Sequence, residues 1–509
     1  MIKISIFPLL VFLMFGSITA QETAIDKLFR SSYHVWELQR NGIGVYRDSK
    51  LFTGNDYHPS SVANVGIGLI SLCIADSMGW DANAAAKALT TLKSMTGHTP
   101  GFKPERNATG FYRHFIDMNT GARAWDSEFS TIDTEILVAG ALFAKNYFKN
   151  DSITKYALEM WNSIQHEKAI ADAANGKIYL TMNANGNGNS GSVTSVYNEY
   201  MIVAWMAKNA TENTNSPSHI LWNKFYADPD KLPYTMYGIN RVLTDYPGGF
   251  LSSFTHQFNY YLCHYFTTSE KYLGYYKQAL NADIAWWKTT STAAEWEWGC
   301  GAGTGPEGYN ADKISFDGKG NPNRTVSPHI IAGFLPVLPE AENQLLEMWQ
   351  SKKGRYVFPQ YSNDTILWRY SLTNTTWKAP EVQGIDYSTM LFGLASLPQF
   401  IGKEFFIRNN NFFDVSTANK TKIQKNKEVF VLKGQTSEIL EFSFTEKIDL
   451  PAEIQILNVN SAIVFSRKIE YLPDGEISSV PISGLTKGVY FLRILQDEKL
   501  LAVKKFVKF

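Results

Sequence analysis

Residues 60–95 read "SSVANVGIGLISLCIADSMGWDANAAAKALTTLKSM". The first part is apolar on nearly every helical face, and a helix of that kind is buried. One tight turn later, "DANAAAKALTTLKSM" is amphipathic and belongs half-exposed outside its neighbour. The two together predict a helical hairpin with an inner and an outer member. The same couplet returns along the chain. "STIDTEILVAGALFAKNYF" precedes "DSITKYALEMWNSIQ", and "SVYNEYMIVAWMAKN" precedes "SPSHILWNKFY". "THQFNYYLCHYF" precedes "SEKYLGYYKQALNADIAWW", and "VSPHIIAGFLPVL" precedes "PEAENQLLEMWQ". "YSTMLFGLASLPQFI" begins a sixth. The expected fold is an all-α (α/α)6 toroid, a barrel of inner helices inside a ring of outer ones. "GFYRHFIDMNTGARAW" reads as a β-hairpin turning at Asn119-Thr120-Gly121, an excursion that walls a cleft at one end.

The texture changes after "IRNNNFFDVSTANKTKIQKNK". "KEVFVLK", "AEIQILNV", "SAIVFSRKI", "GVYFLRI" and "LLAVKKFVKF" have the two-residue period of strands. They predict a small C-terminal antiparallel β-sandwich. The first twenty residues, "MIKISIFPLLVFLMFGSITA", have a basic start, a short apolar run and a small terminal residue, as in a secretory signal peptide. The expected boundaries are therefore 1–20 for the signal peptide, 21–410 for the barrel, 411–426 for a linker and 427–509 for the sandwich.

Composition narrows the function. The chain has 509 residues, with 48 basic against 48 acidic. Losing Lys3 with the leader leaves 47 basic residues. Such a balance argues against nucleic acid as a partner. Aromatic residues make up 14%, which suits both a large core and sugar-stacking surfaces. Cys73, Cys263 and Cys300 cannot form a full disulfide framework. They read as buried thiols, with a single Cys263–Cys300 bridge as the alternative. The scattered His58, His114, His256 and His329 lack metal-ligand spacing, so no metal and no cofactor is expected.

Carboxylates carry the chemistry. "AWDSEFSTIDTEIL", residues 124–137, takes Asp126, Glu128, Asp133 and Glu135 into an apolar helix. Ser130 and Asp133 have capping-box spacing, so Asp133 reads either as a cap or as a functional group. Its helical neighbours are apolar, and burying a carboxylate there is costly unless it is bonded or used. Glu199 in "SVYNEYMIVAWM" has the same two readings, as a first-turn complement to the helix dipole or as a site residue. Two carboxylates at helix openings suit inverting glycoside hydrolysis, in which an acid and a base stand about 6.5–9.5 Å apart. "AEWEWGCGAGTGPEGYN" sets Trp296, Trp298 and Tyr309 among five glycines. It reads either as a sugar-stacking loop or as a loop pinned by tryptophans. Asp386 in "GIDYSTMLFGL" reads first as an N-cap.

"HPSSVANVGIGLISLCIADSMGW", "GFYRHFIDMNTGARAWDSEFSTIDTEILVAGALFAKNYF", "YNEYMIVAW" and "GPEGY" resemble the glucoamylase-like domain family. The resemblance is strongest to the endo-β-1,2-glucanases of glycoside hydrolase family 144 and spans roughly Asp26 to Phe400. It implies an (α/α)6 barrel and a β-glucan or its oligosaccharides as substrate. It also implies Asp133 and Glu199 as the acidic pair, without saying which is acid and which is base. Around them it implies a substrate cleft. The candidates for its lining are Asp386, Glu307, Tyr309, Trp298, His256, Gln257, His114, Trp125 and Asp126. Two segments depart from the family, "FNYYLCHYF" after "THQ" and "GCGAGTGPEGY" before Tyr309. Both fall where sugar should be gripped, so the reaction class is better supported than the linkage. "VPISGLTKGVYFLRI" and "AVKKFVKF" resemble the C-terminal sorting domains of Bacteroidetes type IX secretion. That implies secretion machinery as a partner, and with the leader it implies a secreted, periplasmic or cell-surface protein; a monomer is expected. A polysaccharide lyase on the same toroid and a non-catalytic glycan-binding protein are the alternatives.

Overall fold

The computed structural model describes residues 23–54, 58–246, 248–361, 364–413, 430–444, 451–458, 463–470, 478–496 and 499–508. The expected signal peptide and most of the expected linker lie outside them. The described residues fall into two compact units that divide after Phe413.

The first unit carries fourteen α-helices among its described residues. They are α1 (Ala24–Gln39), α2 (Val62–Ser77), α3 (Ala84–Met95), α4 (Thr131–Phe148), α5 (Asp151–Asn162), α6 (Met201–Asn209) and α7 (Pro217–Leu221). Then come α8 (Phe254–Leu262), α9 (His264–Thr268), α10 (Glu270–Trp287), α11 (Pro328–Gly333), α12 (Ala341–Ser351), α13 (Gly384–Ala395) and α14 (Glu404–Asn409). Six of them pack in a closed circuit. α2 lies on α4, α4 on α6, α6 on α8, α8 on α11, α11 on α13, and α13 back on α2. These are the segments whose sequence is apolar all round, and α2 and α4 are buried along most of their length.

Glycine sets the tightest of these contacts. A Cβ on Gly140 would stand 2.1 Å from the Gly66 carbonyl oxygen, and one on Gly66 would stand 2.3 Å from that of Ile136. The backbones of α2 and α4 therefore touch, which only residues without a side chain allow.

The amphipathic helices lie outside: α3 on α2, α5 on α4, α7 on α6, α10 on α8 and α12 on α11. The sixth inner helix, α13, finds its outer partner at the other end of the chain. That partner is α1, which also packs on α2 and α12. Its start is secured by a reciprocal capping box between Thr23 and Asp26.

Several inner helices are shorter than their apolar runs suggest. α6 begins only at Met201, after a turn that contains Glu199. The run from Phe254 breaks at Cys263, whose backbone is extended. α11 spans six residues. Between helices the chain forms two-stranded excursions. Phe115–Ile116 pairs with Ser60–Ser61, and Phe129–Ser130 with Thr181–Met182. The turn predicted at residues 119–121 is closed by the Ile116–Arg123 bridge. All three cysteines are buried free thiols.

The second unit is all β. One antiparallel sheet orders strands 430–435, 439–444 and 478–481. The other orders 463–469, 452–458, 488–496 and 499–508. Phe430, Phe442 and Val480 of the first join Ile454, Leu492 and Phe506 of the second in one core. Strands 439–444 and 478–481 were not among those the period-two pattern singled out. The second is only four residues long, too short to print an alternation.

Candidate active site

The openings of α4, α6 and α13 converge on a cavity of about 760 Å³. At α4, Ser130 does two things. Its hydroxyl oxygen accepts from the Asp133 backbone N–H at 3.3 Å, capping the helix, and its O–H donates to the Asp133 carboxylate. The cap thus holds the acid instead of competing with it. Asp133 Oδ1 stands 3.6 Å from His114 Nε2, and His114 Nδ1 lies 3.1 Å from Glu128 Oε1. Burial opposes a charge on His114, but the Asp133 and Glu128 carboxylates prevail and hold its pKa up to about 9. Glu128 in turn is held below its ordinary value, first by its hydrogen bond to His114.

Glu199 lies in the turn before α6, not inside the helix. Asn198 shapes that turn: its side-chain oxygen accepts from the Tyr200 N–H at 2.9 Å, an Asx turn. The Glu199 carboxyl is pushed up to about 8, first by burial and then by the negative charges of Asp133 and Asp386. Asp386 belongs to the first turn of α13, whose N-cap is Gln383, so the N-cap reading of Asp386 is corrected. Its carboxyl is pushed up to about 7, chiefly by burial. One oxygen takes a 3.3 Å hydrogen bond from the Tyr309 hydroxyl, and the other has no protein partner among the described residues.

Trp125 stands at the cavity wall with its residue 58% exposed. Its backbone is left-handed, with φ 52°, which is costly for a bulky residue and marks a held conformation. Its ring meets Phe115 edge-on at 4.7 Å and His58 at 6.0 Å.

Asp133, Glu199, Asp386, Tyr309, His114 and Trp125 therefore share one cavity. Five other candidates do not line it. Glu307 is exposed in the turn between strands 302–305 and 308–311, while Tyr309, two residues on, lines the cavity. Trp298 is buried with its indole N–H on Gln344 at 2.6 Å, so it pins the glycine loop to the core. His256 is buried against the Tyr197 hydroxyl at 2.6 Å, and burial pulls its pKa down to about 3. Gln257 donates to the Ile330 carbonyl at 2.9 Å and fills the space against Gly333. Asp126 is fully exposed and pairs with Arg123 beside it.

The cavity also holds residues that the sequence reading left out: Asp48, Glu381 and Gln383, along with His58, which had been weighed only as a metal ligand. They lie in short loops and strands with no periodic signal. The pairing of strand 49–51 with strand 381–383 brings Asp48 to Glu381 and Gln383, and the Asp48 N–H on the Pro59 carbonyl brings His58 to them. Among the described residues, no group of three or more His, Cys, Asp or Glu is arranged to hold a metal ion.

The fold has known counterparts. A Bacteroides uniformis protein provisionally assigned as a glucoamylase is 14% identical with a TM-score of 0.61, the match covering 76% of this chain and 93% of that one. The endo-β-1,2-glucanase of Chitinophaga pinensis, solved with sophorotriose and glucose, is 13% identical with a TM-score of 0.61, covering 76% of this chain and 96% of that one. The endo-β-1,2-glucanase of Talaromyces funiculosus, solved with β-1,2-glucan, is 13% identical with a TM-score of 0.53, covering 75% and 84%. No curated protein sequence matches the chain. The helical unit thus has the fold of these glucoamylase-like and glucanase proteins, and residues 436–508 belong to the secretion system C-terminal sorting domain family.

Proposed function

We propose that this protein is an exported glycoside hydrolase that cleaves a β-glucan, with β-1,2-glucan and its oligosaccharides as the first substrates to test. In this reading the helix circuit is an (α/α)6 toroid spanning residues 21–410 that acts as a monomer, and the second unit, residues 427–509, is a β-sandwich joined by a linker over 411–426. Residues 1–20 direct the chain across the inner membrane, and the C-terminal unit hands it to the type IX machinery for release or display at the surface.

One observation carries the reading: two carboxyls from the openings of adjacent inner helices face one cavity in unlike surroundings. Glu199, its pKa raised to about 8, keeps its proton at neutral pH. It is the group suited to protonate the leaving glycosidic oxygen. Asp133, hydrogen-bonded to Ser130 and facing His114, draws the proton from the attacking water. The water enters opposite the leaving group, so the anomeric configuration inverts. Asp386 and Tyr309 hold the sugar, and the exposed Trp125 ring offers a flat apolar face to sugar C–H groups.

The lining is also the wrong one for a lyase. Among the described residues it includes Asp48, Glu128, Asp133, Glu199, Glu381 and Asp386 but no lysine or arginine. The one strongly basic group a uronate carboxylate would find among them, His114, is already engaged with Asp133 and Glu128.

The test is to incubate the mature protein with a panel of glucans, count new reducing ends, and follow the product anomer by NMR. The expected result is cleavage of β-1,2-glucan with initial release of the inverted anomer. Asp133→Asn and Glu199→Gln should each lower turnover about 10²–10⁴-fold while the helical circular dichroism spectrum is kept. Wild-type turnover in both variants would sink the assignment. Binding without any new reducing ends would leave a glycan-binding protein.

A further inference from the structure

A second histidine–carboxylate pair lines the same cavity. His58 Nε2 lies 3.2 Å from Glu381 Oε2. Glu381 is braced from behind by the Ser49 hydroxyl at 2.9 Å, the Thr304 hydroxyl at 3.3 Å and the Gln383 amide at 3.0 Å. Those bonds spend its acceptor capacity on protein donors and fix His58 at the cavity edge, beside the Trp125 ring. Asp48 is the residue next to Ser49. Its backbone is clamped at both ends, with its N–H on the Pro59 carbonyl and its carbonyl receiving the Gly384 N–H, each at 2.9 Å. The first bond ties it to the segment bearing His58, and the second to the opening of α13 that bears Asp386. Burial pushes the Asp48 carboxyl up to about 6, against the pull of His114 and then His58, while Glu381 and Asp133 add to the rise. It lines the same cavity as both histidine–carboxylate pairs.

Among the described residues no side chain hydrogen-bonds the Asp48 carboxyl, which leaves its acceptor positions to a ligand or to water, and the described lining supplies no lysine or arginine. Asp386, 6% exposed, adds an oxygen without a protein partner among the described residues. Two acceptor carboxylates, a histidine and an indole face describe a hydroxyl-rich, uncharged ligand. Hydroxyl pairs donate to the carboxylates, and the apolar ring face lies on the indole.

We propose that Asp48, with His58 and the unpartnered oxygen of Asp386, forms a sugar-binding subsite in which Asp48 accepts hydrogen bonds from hydroxyls of a neutral pyranose. Asp48 is a positioning residue: it sets the sugar ring against the acid pair and exchanges no proton with it. This rests on the glycoside hydrolase reading above.

The experiment compares wild type with Asp48→Asn and Asp48→Ala, using sophorotriose as the probe in calorimetry and β-1,2-glucan in steady-state kinetics. Losing a hydrogen bond to a charged acceptor costs about 1.5–3 kcal/mol, so the Kd for sophorotriose and the KM should rise roughly 10- to 150-fold. The kcat should stay near that of wild type, so that the loss falls on KM, and the unfolding midpoint should not fall. Sophorotriose affinity unchanged in both variants would overturn the subsite. A collapse of kcat at unchanged KM would overturn it too, by placing Asp48 in the chemistry. If wild type neither bound nor cleaved any glucan of the panel, the hydrolase reading itself would fall and the subsite with it.

Discussion

The opening of α4 and the opening of α8 look alike in sequence, and the fold uses them oppositely. Both start an inner helix, and both set polar residues into an apolar run: Ser130 and Asp133 in one, His256 and Gln257 in the other. At α4 the polar groups face a cavity, and the cap bond holds Asp133 toward it. At α8 they turn into the packing against the neighbouring elements. There His256 meets Tyr197, and Gln257 reaches the Ile330 carbonyl of α11. A polar side chain in a buried helix must find a partner. Whether that partner is protein or ligand depends on whether the facing element is packed close or stands away.

Several experiments press on this difference. The largest effect belongs to the cavity side, where Glu199→Gln and Asp133→Asn should cost turnover and little stability. Gln257→Ala should do the reverse. It strands the Ile330 carbonyl and should cost about 1–3 kcal/mol in urea unfolding, with turnover per folded molecule unchanged. A loss of turnover in Gln257→Ala without a loss of stability would return α8 to the site.

The cavity, through Glu199 before α6, and the opening of α8, through His256, should also answer to pH with opposite signs. Glu199 holds its proton longer in the folded state than in the unfolded one, because burial raises its pKa from 4.5 to about 8. Stability it affects therefore falls as pH rises through that window, and Glu199→Gln should flatten the fall. His256 is held neutral by burial, its pKa lowered from 6.5 to about 3. The unfolded chain takes that proton first, so stability falls as pH drops below 6.5, and His256→Gln should remove that part. Unfolding midpoints measured from pH 4 to 9 in both variants check the two slopes. Activity should decline as pH rises past about 8, where the Glu199 proton is lost.

Ser130→Ala should lower stability by about 0.5–2 kcal/mol through the lost cap. It should also lower turnover, because the same hydroxyl steadies Asp133. A stability loss with unchanged turnover would separate cap from site. Asp126→Ala should be the smallest change. Its side chain is exposed and paired only with Arg123, and pairs of that kind are worth about 0–1 kcal/mol.

Much of this was legible because it is local. Ser130 and Asp133 are three residues apart, the cap spacing. Glu135, two residues on, pairs with buried His166 at 2.7 Å. The runs of α2 and α4 are apolar enough to announce burial. The misreadings were of another kind. Glu199 was placed on a helix face because its neighbours are apolar, but the Asn198 side chain stops the helix short. His256 and Trp298 were offered to the sugar because they are cleft-like residue types. Their partners, Tyr197 and Gln344, are distant in sequence.

By itself, then, the sequence determined the alternation of buried and half-buried helices, five of the seven described strands of the tail and the cap at the start of α4. Those follow from periodicity and from spacings of a few residues. Only the tertiary structure decided that α1 completes the sixth pair and that Glu199 precedes its helix. It also decided which polar residues meet in the cavity, and it brought Asp48 to them through the pairing of strands 49–51 and 381–383 and His58 through the bond of Asp48 to Pro59. The physical reason is range. A carboxyl's protonation and use depend on the charges and the water around it, and here those are set by segments hundreds of residues apart.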